Sequence, residues 1–293
     1  MNAPELLLAG PTAVGKTEVA LRLAERLDGE VISVDSMQVY RGLDIGTAKP
    51  STEERARVPH HLIDILDLHE TFDAAQFVRR ASDAIREIRG RNRLPILCGG
   101  TGLYFKAWLE GIGSAPAADP ELRAELERLP LEALLRELRD ADPEMLERID
   151  RKNPRRVIRA LEVIRLTGKP FSKQRARHPP KPAAFFVLQR ERAGLHRRID
   201  RRVDEMFARG LVEETRRALH SPAAKHGLGY RQVIEHLEGK RNLEETIALV
   251  KLRTRQYAKR QLTWFRHQAN AYWADADHAA ASVEREFAAF SGK

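Results

Sequence analysis

The stretch Glu5-Leu6-Leu7-Leu8-Ala9-Gly10-Pro11-Thr12-Ala13-Val14-Gly15-Lys16-Thr17 decides the fold. A short apolar run leads into the pattern G-x-x-x-x-G-K-[ST], and an amphipathic helical pattern follows over residues 16–27. Strand, glycine loop and helix stand in the order that a phosphate-binding loop (P-loop) requires. Its glycines let backbone N–H groups close around phosphate oxygens. Lys16 adds a point charge, and the Thr17 hydroxyl can sit on Mg²⁺. The pattern arises by accident in roughly one chain per hundred of this length. The plain alternative is a glycine-rich turn before an ordinary helix.

Working outward, residues 30–35 read as a second strand, 74–89 as a helix and 94–98 as a third buried strand. Helical pattern resumes after Thr101. This alternation predicts an α/β fold, a P-loop NTPase-like parallel sheet with helices on both faces. The break Ser114-Ala115-Pro116-Ala117-Ala118-Asp119-Pro120 then changes the character of the chain. Residues 121–167 read as helix throughout. A second break, Arg177-His178-Pro179-Pro180-Lys181-Pro182, precedes Ala184-Phe185-Phe186-Val187-Leu188, a returning core strand. The expected division is a catalytic core of residues 1–114 and 184–293 with a helical insertion at 115–183. A continuous α/β domain with a helical excursion is the alternative. From Leu195 the chain is mostly helical, with a long helix over 253–267, a short strand at Ala271-Tyr272-Trp273 and a final helix.

Composition narrows the class. Hydrophobic residues make up 42% of the chain and charged residues 32%, enough for a core inside a charged surface. No apolar run approaches the ~20 residues of a membrane span. Met1-Asn2-Ala3-Pro4-Glu5 lacks the basic region and apolar stretch of a signal peptide, so a cytoplasmic home is expected. A single cysteine, Cys98, excludes an internal disulfide and a multi-cysteine zinc site. Fifty-one Lys and Arg against 42 Asp and Glu leave a net charge of +9. That fits either a soluble protein that happens to be basic or one with a polyanionic partner.

Carboxylates beside the loop are scarce. Asp35 follows Val31-Ile32-Ser33-Val34 and is the one acid at the end of a core strand. It can bind metal, act as a base near the phosphates, or cap the next turn. Strand 94–98 ends instead in Gly99-Gly100-Thr101-Gly102, a second glycine-rich turn. It permits close approach of a substrate and offers the Thr101 hydroxyl, or it is simply tight.

The charges are unevenly placed. Between Thr246 and Asn270 stand Lys251, Arg253, Arg255, Lys259, Arg260 and Arg266, with no acid. Lys251, Arg255 and Lys259 form one i, i+4 stripe, with Arg253 and Arg260 beside it, and Tyr257, Trp264 and Phe265 interleave. Like charges at that spacing repel, which suits a nucleic-acid backbone track better than a solvated face. Asn153-Pro154 reads as a helix start, and Arg155 and Arg156 occupy its first turn, where an anion rather than a cation is favoured. Arg198 and Arg202 share another helix face. They can reach a pyrophosphate or pair with Asp200 and Glu205, and spacing does not choose.

Together these pieces resemble the bacterial tRNA dimethylallyltransferases, also called tRNA isopentenyltransferases. Besides the P-loop, the matching stretches are Asp35-Ser36-Met37-Gln38-Val39-Tyr40, Gly46-Thr47-Ala48-Lys49-Pro50, His60-His61-Leu62-Ile63-Asp64 and Gly99-Gly100-Thr101-Gly102-Leu103-Tyr104. Arg159-Ala160-Leu161-Glu162-Val163, Gly229-Tyr230-Arg231 and Lys259-Arg260-Gln261-Leu262-Thr263-Trp264-Phe265-Arg266 complete the set, in family order.

The resemblance implies transfer of a dimethylallyl group from dimethylallyl diphosphate to N6 of the adenosine 3′ to the anticodon, in tRNAs reading codons that begin with U. The products are N6-isopentenyladenosine and diphosphate. It implies that residues 10–17 hold the diphosphate with Mg²⁺ at Thr17. Asp35 would be the general base, with Thr101 and Arg202, rather than Arg198, beside the leaving group. Gln38 would help read a flipped base. By the same resemblance tRNA contacts fall on Asp35, Ser36, Met37, Thr101 and, in the insertion, on Arg123, Arg155, Arg156, Val157, Ile158 and Arg159. They continue over His226, Gly227, Leu228, Gly229, Tyr230 and Arg231, and over the run from Lys259 to Arg266. The partner is the tRNA anticodon stem-loop, and the expected state is a monomer. An adenylate isopentenyltransferase, a small-molecule kinase and a non-catalytic RNA-binding module are the competing readings. The insertion and the basic helix argue against the first, and the P-loop beside Asp35 against the last.

Overall fold

The computed structural model describes residues 5–174 and 183–291. The expected features at Met1–Pro4 and the break from Arg177 to Pro182 lie outside the described residues. The chain divides into two compact units, Met1–Ala107 with Pro182–Lys293, and Trp108–Lys181. The division falls inside a helix, a few residues before the small-residue break at Ser114.

The larger unit is built on six parallel strands: β1 (Leu6–Ala9), β2 (Gly29–Val34), β3 (His60–His61), β4 (Leu94–Gly99), β5 (Ala184–Gln189) and β6 (Tyr272–Asp275). Their order in the sheet is β3-β2-β4-β1-β5-β6. β1 and β2 are buried at every residue, as expected for central strands covered on both faces. Helices α1 (Lys16–Leu27), α2 (Thr52–Arg57), α3 (Ala74–Gly90) and α4 (Gly102–Glu110) follow the strands of the first half. α2 and the two-residue β3 carry no apolar pattern of their own and were not expected.

Register places the site. Ala9 and Val34 are both partners of Gly99, so three strands end in one row. The chain leaves that row at Gly10, Asp35 and Gly100 side by side. Gly99 must be glycine, because a Cβ there would lie 2.1 Å from the Val34 carbonyl oxygen.

The smaller unit contains α5 (Pro120–Glu127), α6 (Leu131–Ala141), α7 (Pro143–Arg148) and α8 (Pro154–Thr167). Leu126, Leu134, Leu138, Val157, Ile158 and Leu161 form its own core. Glu162 is fully buried there and takes Arg123, Arg159 and the Asp119 amide.

The larger unit ends with α9 (Arg192–Ala208), α10 (Leu211–Arg217), α11 (Pro222–His226), α12 (Tyr230–Leu237), α13 (Leu243–Gln268) and α14 (Ala279–Ser291). α13 starts on a capping box at Asn242 and Glu245 and buries Thr246, Val250, Thr254, Ala258, Gln261 and Phe265. Steps of three and four keep that stripe on one face.

Candidate active site

The loop after β1 wraps the start of α1. Gly15 lies just before the helix at φ 113°, in a region that favours glycine. No side chain caps α1, so its first-turn amides remain available to an anion. Ala13 also holds a positive φ of 63°, and Arg198 Nε donates to its carbonyl at 2.9 Å. Lys16 Nζ donates to the carbonyls of Gly10 (3.0 Å) and Pro11 (2.8 Å). Burial pushes its pKa down to about 8, with Arg202 adding to the fall and Cys98 and Asp35 opposing it. Burial pushes the Cys98 thiol up to about 11, so it stays protonated beneath the loop.

Asp35 Oδ1 accepts from the amides of Met37 (2.8 Å) and Gln38 (3.2 Å). It therefore does cap the following turn. Its second oxygen takes no hydrogen bond from the described residues.

Two cavities open at this row. One of about 260 Å³ is lined by Thr12, Ala13, Gly15, Lys16, Thr17, Gln38, Gly99, Gly100 and both Arg198 and Arg202. The other, about 780 Å³, is lined by Ser36, Met37, residues 226–231, Arg253 and Arg260. Thr12, Asp35, Thr47, Arg202 and Tyr257 line both. A narrow cationic pocket with a phosphate loop thus meets a wide one at a single carboxylate. Arg198 and Arg202 both face the narrow pocket, and neither pairs with Asp200 or Glu205: those acids take Arg255 and Arg201 instead.

Several expected contacts are corrected by burial or pairing. Val157 and Ile158 belong to the insertion core, so their side chains pack rather than grip RNA. Arg123 and Arg159 are committed to Glu162. Arg155 and Arg156 are exposed at the start of α8. Phe265 is fully buried against Phe105 and Phe185, and Leu262 packs on the sheet core. Trp264 sits where a Cβ on Gly102 would be, 2.3 Å from its ring. Thr263, Lys259 and Arg266 remain exposed. Thr101 lines neither cavity; its carbonyl accepts the Tyr104 amide and its amide donates to Val34. The basic stripe is also thinner than its spacing suggests. Lys251 pairs with Asp204 and Arg255 with Asp200, both acids of α9.

Three of the named residues and Glu214 hold the site together through partners that sequence did not announce. The Gln261 side chain is committed within the protein. Its Oε1 accepts the Thr12 amide at 2.9 Å, and its Nε2 donates to the Gly100 carbonyl at 3.0 Å. Gln38 is likewise tied inward, accepting from Ser33 and donating to the carbonyls of Thr47 and Ala48. Glu214, 3% exposed, accepts the amides of Asp44, Ile45 and Gly46 and the Tyr230 hydroxyl at 2.7 Å. Tyr230 is therefore a buried strut in the wall of the wide cavity. Gly46 makes room for that ring: a Cβ there would lie 2.5 Å from it.

No trio of His, Cys, Asp or Glu suited to a metal stands among the described residues. Thr17 and Asp35 are among the oxygen-bearing side chains that line the narrow pocket. They suit a hard ion held mainly by phosphate oxygens and water.

Comparison with known proteins gives one answer. The family model described as IPP transferase matches residues 38–268. The chain is 50% identical over 295 residues to a tRNA dimethylallyltransferase of Halorhodospira halophila, covering 94% of each. It is 47% identical to tRNA dimethylallyltransferase 1 of Citrifermentans bemidjiense, over 92% of this chain and 90% of that one. Among solved structures, the full-length tRNA isopentenylpyrophosphate transferase of Bacillus halodurans superposes with a TM-score of 0.74 at 42% identity, covering 99% and 97% of the two chains. A eukaryotic dimethylallyltransferase acting on tRNA gives 0.80 at 28% identity, over 97% of this chain and 77% of that one.

Proposed function

This chain belongs to the IPP transferase family, and from that premise we propose that it transfers a dimethylallyl group from dimethylallyl diphosphate to an adenine N6 of tRNA. The acceptor is the adenosine 3′ to the anticodon in tRNAs reading codons that begin with U. One observation carries the reading: the phosphate-loop pocket and the wide cavity share Asp35 in their common wall.

The chemistry follows from what each group can do. The diphosphate takes the first-turn amides of α1 and Lys16, with Arg198 and Arg202 beside it. Such donors are worth most where negative charge grows, here on the departing oxygen. Mg²⁺, when bound with the diphosphate at Thr17, supplies further neutralisation of that charge. The adenine amine is a weak nucleophile because its lone pair is delocalised. It needs a base within hydrogen-bond reach, and the second oxygen of Asp35 is fixed in place by the two amides on the first. The wide cavity has room for a base taken out of its stack. Exposed Arg253, Lys259 and Arg260 on α13 offer phosphate contacts nearby. None of the chain's helices is long and apolar enough to cross a membrane among the described residues, and the reading carries with it a monomeric, cytoplasmic enzyme.

The test is incubation of the full chain with labelled dimethylallyl diphosphate, Mg²⁺ and an unmodified anticodon stem-loop, without ATP. Label on adenine N6 of the RNA is the expected result. Label only on free AMP, or an absolute need for ATP, would overturn it.

A further inference from the structure

Five residues line both cavities, and only one of them, Tyr257, presents an aromatic ring. On the reading proposed above, the group in transit occupies that junction. Its diphosphate end lies with the phosphate loop, and the amine that receives it lies within reach of Asp35. The five-carbon unit is apolar, and its reacting carbon becomes electron-poor as the C–O bond stretches. The junction otherwise offers little to such a group. Thr12 has its amide held by Gln261. Thr47 donates its hydroxyl to the Leu43 carbonyl at 2.5 Å. Arg202 is cationic, which favours the leaving group and opposes positive charge on carbon.

The surroundings of Tyr257 suit the task. It stands one turn of α13 before Gln261, the residue that ties that helix to the phosphate loop. The Arg260 guanidinium lies 5.8 Å from the ring centroid, so this ring already receives a cation, and Arg260 lines the wide cavity but not the narrow one. The ring also lines the narrow cavity, so it stands between the two. The hydroxyl makes no hydrogen bond within the described residues. Burial, followed by the nearby Asp35 charge, raises the phenol pKa, so the side chain works as a neutral ring.

We propose that Tyr257 is a catalytic residue of the transfer, its ring face packing against the allyl unit and stabilising positive charge at the reacting carbon. In the step, the N6–C bond forms as the C–O bond breaks. The C–O electron pair leaves with the diphosphate, and the N6 proton passes to Asp35. Ring quadrupoles attract cations in this way without hydrogen bonding. The proposal rests on the dimethylallyl transfer reading.

Single-turnover transfer to an anticodon stem-loop is measured for the full chain and for Tyr257→Phe, Tyr257→Leu and Tyr257→Met. Binding of inorganic pyrophosphate and of the RNA is measured separately on each. Tyr257→Phe is expected to stay within about two-fold of the parent rate, while Tyr257→Leu and Tyr257→Met fall about ten- to thirty-fold with both affinities unchanged. Met is flexible enough to fill the same space, so it keeps the test alive should the Leu variant misfold. Parent-like rates in the Leu or Met variant would overturn the proposal. So would a Phe variant as slow as Leu, which would assign the effect to the hydroxyl, or a loss of pyrophosphate binding that matches the rate loss. Absence of transfer by the parent chain would instead remove the transfer reading itself, and this proposal with it.

Discussion

Gln261 holds Thr12: the side chain of one, deep in α13, accepts the backbone amide of the other at 2.9 Å across 249 residues of sequence. The same amide group reaches the Gly100 carbonyl with its nitrogen. One neutral side chain, 7% exposed, thus fixes both glycine-rich turns of the narrow pocket. Removing it leaves a donor and an acceptor unpaired. Gln261→Ala is expected to lower stability by about 1–3 kcal/mol and to weaken pyrophosphate binding. Gln261→Glu should keep the Thr12 bond, lose the Gly100 bond and fall between. Denaturant unfolding and calorimetry with pyrophosphate read both effects; a Gln261→Ala variant with parent-like values on each would refute the role.

Asp35→Asn separates capping from catalysis. The amide oxygen can still accept from Met37 and Gln38, but the side chain can no longer take a proton. Transfer should fall about 10²- to 10⁴-fold with stem-loop affinity retained. A variant that transfers at the parent rate would remove Asp35 as the base.

Lys16 sets a pH dependence whose sign can be worked out. Burial lowers its pKa from 10.5 to about 8 in the free protein. The charged form grips the anion, so pyrophosphate affinity should hold below pH 8 and decline as pH rises through it. Folding alone runs the other way. The unfolded chain binds the proton more tightly, so this lysine's penalty on stability is relieved between about pH 8 and 10.5. Lys16→Met should abolish the binding limb. If affinity stays flat from pH 7 to 9.5 in the parent, the assignment fails.

Cations of α13 should differ in their effect on RNA. Lys259 is exposed, whereas Lys251 is paired with Asp204. Lys259→Ala is expected to reduce the salt slope of stem-loop binding by about one, and Lys251→Ala to leave it nearly unchanged. Binding isotherms at several salt concentrations check this; equal slopes for the two variants would contradict it.

What sequence made legible was local. β1, the loop and α1 are adjacent in the chain, and their apolar run, glycines and amphipathic turn each announce themselves. Asp35 stood out because it ends a strand. The helical insertion showed through a strand-free helical stretch between two proline-containing breaks. What stayed hidden was set by distant partners. The acids that neutralise Lys251 and Arg255 lie on α9, so an acid-free stretch of α13 looked more basic than the folded surface is. Val157 and Ile158 are tRNA contacts only by resemblance, while their own apolar character points inward, where the insertion core holds them. Gln261 looked like one polar residue among RNA contacts because nothing near it in sequence names Thr12. Tyr257 was visible as an aromatic in a basic helix, but its place at the junction required the fold.

Glu214 bears on how the site receives its macromolecular ligand. By gathering the amides of residues 44–46 and the Tyr230 hydroxyl, it ties Gly46 and Tyr230, two lining residues of the wide cavity, to one buried carboxylate. Pulling the two apart would strand a carboxylate without its donors, a cost of several kcal/mol. That part of the wall is therefore set before anything enters the cavity, and a ligand has to fit it as it stands.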